Sequence, residues 1–489
     1  MVFTSITFAF FLPVLFILYW AIPKKTRWIV LLVANIIFYM YGGALFILLM
    51  LAIALVTWWC ARRIELSPDR KKAYLVSSVI VVLGMLGFFK YADFAIGTVS
   101  SICGLFSLSF SPAALRLALP LGISFYSFAA IGYVADVYKG RIPAQSSYFR
   151  YLAFVSFFPS VLSGPINRAG DIMPQIDEPA DFDYDLAAAG LRQMLWGFFK
   201  KLIIADTLTL YVDPIFDNVR FYFGMTLIVS TILYTFQIYC DFSGYSDIAI
   251  GTAKLLGIRL KDNFKSPYYS RSVKEFWSRW HISLSTWFRD YVYIPLGGSR
   301  VSDGRHNLNI MLTMLLSGLW HGADWSFVIW GGLHGVYQVA EDFCHRHFSK
   351  KEYRGMKERD IKRSVPWNIG HGILTFAMVS FAWSFFRANN TADALYIASH
   401  MHRGLGHIAG SYIMMLNNMH LDGLKLTYLI VLIVILMAVD FAGLKRDIYG
   451  LFGKLPMWGR WLIYTGLTVF VIVITLNGGV HQEFIYFQF

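Results

Sequence analysis

Cysteine is scarce in this 489-residue chain, and the usual catalytic signatures are missing from its sequence. The four cysteines lie far apart and form no C-x-x-C pair, so their spacing supports neither a zinc site nor a disulfide framework. A glycine-rich nucleotide loop, a G-x-S-x-G elbow and an H-E-x-x-H motif are also absent from the sequence. These absences leave no standard nucleotide, serine-hydrolase or zinc-protease site to assign.

Charged residues make up only 15% of the chain, whereas 57% of it is hydrophobic and 17% aromatic. With a mean hydropathy of +0.53, this composition places the chain among polytopic membrane proteins. The excess of 43 Lys and Arg over 30 Asp and Glu gives a net charge of +13. In a membrane protein such charges collect on cytoplasmic loops and meet anionic lipid. We therefore expect contact with membrane lipid and with phosphate-bearing ligands, and no nucleic acid partner.

Long apolar runs separated by basic turns predict an all-α, polytopic integral membrane protein. At ~20 apolar residues a span, we expect about 11–13 transmembrane helices, with short re-entrant or interfacial helices around a central tunnel. The first run lacks a basic n-region and a cleavage site, so we interpret it as a retained span. The interpreted runs are Phe8–Ile22, Trp28–Ala61 (divided at Gly42-Gly43), Ala73–Phe94, the weakly hydrophobic and interfacial Ile96–Ala118, Pro120–Tyr138, Tyr151–Gly164 (with helix breaks at Pro159 and Pro165), Leu191–Val212, Tyr222–Cys240, Ile310–Ala340 (as helix, break and helix), Trp367–Phe386, Leu424–Phe441 and Trp461–Thr475.

Three polar segments interrupt these runs. The block from Lys254 to Arg305 holds ten Lys and Arg against four Asp and Glu, so it cannot cross a bilayer as one simple helix. We expect it to form short helices on the cytoplasmic side. Cys344–Arg363 predicts a second basic cytoplasmic loop. His400–His420 carries four histidines, but their spacing matches no standard ligand pattern, so we predict a solvated loop and no metal site.

The stretch from Phe276 to Gly335 carries two Trp-His pairs and is the richest in chemistry. His321 lies in an apolar segment, and an ionisable residue at membrane depth marks a functional site by default. Gly318 and Gly322 allow another backbone or a substrate to come close, and Trp320 can wall a narrow channel. A dry environment favours the neutral imidazole, which can take a proton from a hydroxyl during acyl transfer. The alternative is a packed histidine that donates to a helix carbonyl.

The other Trp-His pair, Trp280-His281, lies forty residues upstream, and we expect Trp280 to line the donor or acceptor tunnel. We expect His281 to face His321 and to orient the donor or the acceptor; the alternative is a histidine stacked among tryptophans. His334, on the small-residue segment WGGLHG, favours close helix packing. The basic residues of the block can hold the phosphates of an acyl carrier, because guanidinium groups match phosphate oxygens, or they can bind lipid headgroups. These basic candidates are Lys265, Arg271, Lys274, Arg279 and Arg289.

Two carboxylates follow an apolar run in the motif DFSGYSD, which comprises Asp241, Ser243, Tyr245 and Asp247. Carboxylates near membrane depth are costly unless they are hydrogen-bonded or face water. These four side chains can shape an acceptor tunnel, bind an ion, or form a satisfied structural network.

Three long runs resemble the membrane-bound O-acyltransferase family, and the bacterial alginate O-acetyltransferase type in particular: FQIYCDFSGYSDIAIG, SPYYSRSVKEFWSRWHISLSTWFRDYVYIPLGG and GLWHGADWSFVIWGGLHG. The segments LPLGISFYSF, VADVYKG, FPSVLSGPINR and EFIYFQF fit the same type. The resemblance covers nearly the whole chain. It implies a single transmembrane domain over residues 1–489 with a catalytic core at about 120–345. The family's active-site histidine corresponds to His321, and its second, upstream polar position corresponds to His281.

This resemblance implies an O-acyltransferase of the cytoplasmic (inner) membrane with no bound cofactor. It would take acetyl from cytoplasmic acetyl-CoA and pass it across the membrane for O-acetylation of an alginate-like or other exopolysaccharide. The implied partner is a separate periplasmic or surface protein of the SGNH-hydrolase-like type.

Several other functions are also compatible with the sequence. Within the family, these are peptidoglycan O-acetylation and D-alanyl transfer to teichoic acid. Outside it, Asp241, Asp247 and the broken helices suit an ion-coupled transporter, and His281 with His321 suits a pair of haem ligands.

Overall fold

The computed structural model describes residues 1–108, 112–348, 364–444, 448–476 and 484–485, and within these ranges the regular secondary structure is helical. The all-α prediction is therefore confirmed. The α-helices are α1 Ile6–Ala21, α2 Arg27–Met40, α3 Ile47–Leu66, α4 Lys71–Leu105, α5 Ile123–Tyr138, α6 Tyr148–Val155, α7 Phe158–Val161, α8 Ala169–Asp177, α9 Tyr184–Phe198, α10 Asp206–Phe216, α11 Met225–Leu255, α12 Val273–Arg279, α13 Ile282–Phe288, α14 Asp303–His321, α15 Trp325–Phe348, α16 Val365–Arg387, α17 Thr391–His400, α18 Ile408–Asn418, α19 Gly423–Gly443, α20 Ile448–Lys454 and α21 Met457–Leu476.

Within the described ranges, five helical segments are long and apolar enough to cross a membrane. These segments are Ala44–Leu66, Pro68–Leu105, Met225–Leu255, Val365–Arg387 and Gly423–Gly443. The chain is therefore a multi-pass membrane protein, as predicted. The total of about 11–13 spans and the central tunnel stay predictions, based on ~20 apolar residues a span.

Several predicted boundaries are confirmed and two are wrong. The division at Gly42-Gly43 is present, and Gly43 has φ +152°, which favours glycine. The Ser- and Gly-rich stretch after Ile96 continues α4 as far as Leu105, because a backbone at membrane depth must satisfy its hydrogen bonds within the helix. Likewise DFSGYSD does not follow a helix but lies within α11. The predicted loop Cys344–Arg363 lies mostly outside the described residues, and α15 covers its start.

The described chain divides into two compact units, and the first comprises Met1–Met194 and Tyr245–Lys261. Its core is formed around α5, most of whose side chains are buried. The predicted helix break near Pro159 is confirmed, since α6 and α7 are separate. Asn35 supports this break: its Nδ2 donates to the carbonyl of Ala153 at 3.0 Å, and its Oδ1 accepts from the backbone N–H of Phe158 at 2.9 Å.

The second unit comprises Leu195–Gly244 and Asp262–Phe489. Its centre is the antiparallel pair α14 and α15, which the sequence predicts as helix, break and helix. The two helices approach closely, since a Cβ at Gly318 would collide with the carbonyl of Phe327 and one at Gly331 with that of Met314. The short helices predicted in the basic block are confirmed as α12 and α13. The expectation of a single domain remains a prediction.

Candidate functional site

His321 is the last residue of α14, and its side chain is buried. Its Nδ1 lies 2.6 Å from the main-chain carbonyl oxygen of Ser317, one helical turn earlier. A carbonyl oxygen only accepts hydrogen bonds, so Nδ1 carries the proton of this contact. In the neutral ring the lone pair then lies on Nε2, the nitrogen that can take a proton. The two alternatives for His321 are therefore compatible: a packed histidine whose Nδ1 donates to a helix carbonyl keeps on Nε2 the lone pair that a base requires.

Aromatic side chains surround the imidazole of His321. The ring centroids of Trp320 and Trp330 both lie 4.9 Å from it, and that of Phe386 lies 5.5 Å away. All three rings are steeply inclined to the imidazole. Trp320 and Trp330 are themselves buried. Such apolar surroundings favour the uncharged imidazole.

His281 has a strained backbone and a fixed side chain. Its φ of +43° is left-handed and directly precedes α13; this conformation costs a non-glycine residue about 1–2 kcal/mol. Asn263 Oδ1 accepts from both the backbone N–H and the hydroxyl of Ser283, and it lies 3.1 Å from Nδ1 of His281. The carboxamide oxygen thus faces Nδ1, which donates its proton, and the lone pair of the neutral ring lies on Nε2. A strained backbone conformation that the surrounding residues hold in place is frequent at functional sites.

The two predicted catalytic histidines contact one common side chain. The ring centroid of Trp320 lies 6.1 Å from that of His281 and 4.9 Å from that of His321. Trp280 is buried, and its ring lies 5.0 Å from that of Trp383 and 5.5 Å from that of Phe276. Its role in the wall of a tunnel stays a prediction. The catalytic roles of the two histidines stay predictions.

His334 is a third buried imidazole of this cluster, for which the sequence favours helix packing over catalysis. Trp277 donates its indole N–H to Nδ1 of His334 at 3.2 Å, so the proton of the neutral imidazole lies on Nε2. The ring of Trp330 lies 5.0 Å from His334 and 4.9 Å from His321. The sequence shows that His334 lies 13 residues after His321. It does not show that Trp277, on α12, donates to His334.

A cavity of about 430 Å³ lies among α12, α13, α14 and α15. This volume is within the usual range for small-molecule sites. Ser317, whose carbonyl holds His321, and Trp277, which holds His334, both line it. The apolar part of its wall comprises Ile282, Leu284, Phe288, Ile310 and Met314. The lining of the cavity therefore includes the residues that contact the imidazoles of His321 and His334.

The structure places two of the five predicted phosphate-binding residues, Lys274 and Arg289, in the lining of the cavity. Both form ion pairs there, Lys274 with Asp342 and Arg289 with Asp290. The other three, Lys265, Arg271 and Arg279, do not line it.

Arg279 and Arg271 both pair with Glu275, at 2.7 Å and 3.3 Å. Burial opposes the charge of Glu275, but the backbone N–H of Arg271 and the guanidinium of Arg279 hold its pKa below the ordinary value. The phosphate-binding role of all five residues stays a prediction.

In the second unit, Asp241 and Ser243 contact a pair of buried lysines. Lys201 lies 2.6 Å from Oδ1 of Asp241, whose Oδ2 accepts from the backbone N–H of Ile485 at 2.9 Å. Lys200 donates to the hydroxyl of Ser243 at 2.8 Å. Both lysines lie in the π-helical turn Phe199–Ala205. These contacts are those of a satisfied structural network, and the predicted role of the two residues in an acceptor tunnel stays a prediction.

Tyr245 and Asp247 belong to the first unit, although they lie on the same helix, α11. The ring of Tyr245 lies 4.6 Å from that of Phe3. Asp247 accepts from the side-chain amide of Gln193 at 2.8 Å, and Lys254 donates to the same amide at 2.7 Å. Asp241 and Ser243 therefore contact buried lysines, Asp247 contacts Gln193, and the ring of Tyr245 packs on Phe3. The tunnel role proposed for Tyr245 and Asp247 stays a prediction.

The segment with four histidines is not the single loop that the sequence predicts. His400 ends α17, and α18 begins at Ile408, directly after His407. Within the described part of the chain, no group of three or more His, Cys, Asp or Glu side chains is placed to hold a metal ion.

The family model of the membrane-bound O-acyltransferases matches residues 139–382, which contain His281, His321 and the cavity. A probable alginate O-acetylase of Pseudomonas aeruginosa is 37% identical over 451 residues, which are 91% of this chain and 82% of that protein. The chain belongs to the membrane-bound O-acyltransferase family. The family assignment made from the sequence motifs is thus confirmed, and with it the interpretation of the chain as an O-acyltransferase.

The names of two further relatives of this O-acyltransferase state other polymers. A peptidoglycan O-acetyltransferase of Helicobacter pylori is 33% identical, over 80% of this chain and 77% of that protein. A teichoic acid D-alanyltransferase of Bacillus subtilis is 30% identical, over 54% of this chain and 68% of that protein.

Proposed function

We propose that this membrane-bound O-acyltransferase is an acetyltransferase of the cytoplasmic membrane. It takes acetyl from cytoplasmic acetyl-CoA and passes it across the membrane for O-acetylation of an alginate-like exopolysaccharide. The observation that carries the proposal is the 2.6 Å contact between Nδ1 of His321 and the carbonyl of Ser317. This contact leaves the lone pair on Nε2 of a buried, neutral ring, which is the form that general-base catalysis requires.

The proposed step balances without a metal ion or another cofactor. Nε2 of His321 takes the proton of an acceptor hydroxyl as the oxygen attacks the thioester carbonyl carbon. The new C–O bond forms, the C–S bond breaks, and the leaving thiolate receives the proton from the imidazole. The imidazolium exists only between these two proton transfers, and the indoles of Trp320 and Trp330 can stabilise it through cation–π contact. His281 orients the acceptor or the donor.

The cavity is the proposed donor site. Lys274 and Arg289 line it, each paired with an aspartate, and their remaining N–H groups can bind the phosphates of coenzyme A. Its apolar wall suits the methylene chain of the thioester arm, and Ser317, which lines it, lies one helical turn from His321. The thioester would thus approach the imidazole from the side of α12 and α13.

The acceptor is proposed from the relatives. The alginate O-acetylase of Pseudomonas aeruginosa aligns with 91% of this chain, and the D-alanyltransferase of Bacillus subtilis with only 54%. Peptidoglycan, the acceptor named for the Helicobacter pylori relative, is the second candidate, since that protein aligns with 80% of the chain. A separate SGNH-hydrolase-like protein outside the membrane is proposed to receive the acetyl group and place it on the polymer.

The test is substitution of His321 by Ala, with His407→Ala as the control because His407 is an exposed histidine outside the cluster. Cells that depend on this chain are scored for ester-linked acetyl on their exopolysaccharide and peptidoglycan. The purified proteins are scored for cleavage of labelled acetyl-CoA. We expect a loss of about 100- to 10,000-fold for His321→Ala, with normal membrane insertion, and no loss for the control. Unchanged acetylation in the His321 variant would overturn the assignment.

The same preparations separate the remaining alternatives. Acetyl on peptidoglycan alone identifies the second acceptor, and turnover of a D-alanyl thioester in place of acetyl-CoA identifies the D-alanyl branch. Uptake of an ion or solute by proteoliposomes without acetyl-CoA cleavage would support a transporter. A Soret band would support a haem protein.

A further inference from the structure

A connected series of four polar side chains, which we call the charge cluster, joins four elements at the wall of the donor cavity. The hydroxyl of Tyr293 lies 2.9 Å from Nδ1 of His306, and Nε2 of that imidazole lies 3.1 Å from Oδ2 of Asp342. The other carboxylate oxygen of Asp342 accepts from the ammonium group of Lys274. Tyr293 belongs to the π-helical turn Arg289–Tyr293, and the other three residues belong to α14, α15 and α12. Turns of this kind are frequent at functional sites.

Three members of the charge cluster are open to an occupant of the cavity. Lys274, Tyr293 and His306 all line it. The side chain of Lys274 is 42% exposed and that of His306 is 17% exposed. His306 lies in the first turn of α14, whereas His321 ends this helix about 22 Å away along its axis. The charge cluster is therefore separate from the proposed base.

The hydrogen bonds place the proton of the neutral His306 ring. A carboxylate oxygen only accepts, so Nε2 carries the proton and donates it to Asp342. Nδ1 then accepts from the hydroxyl of Tyr293. When Nδ1 takes up a second proton, the hydroxyl can turn and accept from it, because a phenol is both a donor and an acceptor. Both charge states of the imidazole therefore fit the same geometry.

Protonation of His306 changes the net charge of the cluster. While the imidazole is neutral, the charges of Lys274 and Asp342 cancel. With an imidazolium, these three side chains carry one positive charge together, and Asp342 has two cations beside it. Imidazole is the side chain whose charge ordinarily changes between about pH 5 and 8. The charge of this wall of the cavity is therefore sensitive to pH in that range.

The charged groups around the cluster are largely paired with one another. Arg346 pairs with Asp303 at 2.5 Å, and Arg289 pairs with Asp290 at 2.8 Å. The further titratable or charged side chains on the same four elements are the paired Glu275 and Arg279 on α12, Arg305 on α14, Tyr291 on the π-helical turn, and Glu341, Cys344, His345 and His347 on α15.

Glu341 is a second group that titrates beside Lys274. Its carboxylate accepts from the backbone N–H groups of Val273 at 2.5 Å and of Lys274 at 3.2 Å, at the start of α12. Burial raises its pKa to about 7. Protonation of Glu341 also makes this region more positive as the pH falls, so a test must separate its effect from that of His306.

We propose that His306 and Asp342 form a proton-operated switch for anion binding in the donor cavity. While His306 is neutral, Asp342 balances the ammonium group of Lys274. When His306 is protonated, the imidazolium balances the carboxylate, and the charge of Lys274 is left for the phosphates of the donor. Donor binding is therefore coupled to proton uptake and is tighter at lower pH. The inference rests on the proposed function of the cavity and concerns its regulation, not the proton transfers at His321.

The test measures binding of coenzyme A, without catalysis, to the purified full-length protein in phosphatidylcholine nanodiscs. The Kd is measured at about pH 6 and about pH 8 at constant ionic strength. We expect the ratio of Kd at the higher pH to Kd at the lower pH to be about threefold to tenfold larger for the unaltered protein than for His306→Gln. The glutamine amide can still donate to Asp342 but takes up no proton. Ionisation of the phosphates of coenzyme A is the same for both proteins and cancels in the comparison.

Three further variants keep the test decisive. Asp342→Asn removes the carboxylate that balances Lys274, so its Kd at the higher pH should fall to near that of the unaltered protein at the lower pH; a gain in affinity cannot come from a failure to fold. Glu341→Gln should retain most of the pH dependence. His347→Gln, at an exposed position of α15, is the matched control and should retain all of it.

Two kinds of result would contradict the switch. An unchanged ratio in His306→Gln, a loss of the ratio in Glu341→Gln alone, or no gain in affinity in Asp342→Asn would overturn the inference and leave the proposed function intact. Absence of coenzyme A binding to the unaltered protein at both pH values would overturn the inference and the proposed function together.

Discussion

The ammonium nitrogen of Lys201 lies 2.6 Å from a carboxylate oxygen of Asp241, and both side chains are almost completely buried, at 4% and 2% exposure. Asp206 gives Lys201 a second carboxylate at 2.8 Å. Such a buried pair is costly to break, because the remaining charge has lost its compensation in a medium of low polarity. The cluster also holds the backbone of Ile485 through the other oxygen of Asp241.

The first prediction concerns this ion pair. Lys201→Met should lower the free energy of unfolding by about 3–5 kcal/mol, since it leaves two buried carboxylates without their cation. The double variant Lys201→Met/Asp241→Asn should recover part of this loss. The measurement is the midpoint of thermal unfolding in detergent micelles. Lys24→Met is the control, because its pair with Asp181 is exposed and should change the midpoint little. Additive losses in the double variant would contradict the prediction.

The second prediction concerns the residue that orients His281. Asn263→Ala removes the oxygen that accepts from Ser283 and faces His281. We expect kcat for acetyl transfer to fall by about 100-fold, because a small displacement of an active-site group has effects of that size. Asn263→Asp keeps an acceptor oxygen in place and should retain more activity. Equal losses in the two variants, or no loss in either, would show that the orientation of His281 does not matter.

The third prediction separates the basic residues that line the cavity from those that do not. Lys274→Met and Arg289→Met should each raise KM for acetyl-CoA about threefold to tenfold, and the increase should shrink at high salt. Arg279→Met removes a partner of Glu275 and should reduce thermal stability while leaving KM unchanged. Steady-state kinetics at two ionic strengths provide the measurement. A KM effect of Arg279→Met equal to that of Arg289→Met would return Arg279 to the donor site.

Helical class, membrane location and family were all accessible from the sequence. Apolar runs of membrane length and the segment GLWHGADWSFVIWGGLHG are local properties, so they can be recognised without knowing which residues meet. The helix–break–helix around His321 was predicted for the same reason, because Gly322 and the polar residues after it interrupt an apolar pattern. The helical state of DFSGYSD was missed, because its polar residues favour turns when they are judged without their partners.

The contacts within the site were not accessible, because each joins residues that are distant in the chain. Asn263 orients His281, Trp277 holds His334, and Lys201 pairs with Asp241. A side chain's type shows only which contacts it is able to make.

The sequence alone therefore determined that this chain is a helical membrane O-acyltransferase with a histidine in an apolar segment. Composition, periodicity and long motifs are properties of single segments, so they can be recognised without the tertiary structure. Which nitrogen of His334 holds the proton, which basic residues reach the cavity and which carboxylates are already paired were decided only by the tertiary structure. Hydrogen bonds act over about 3 Å, and only folding brings distant segments within that distance.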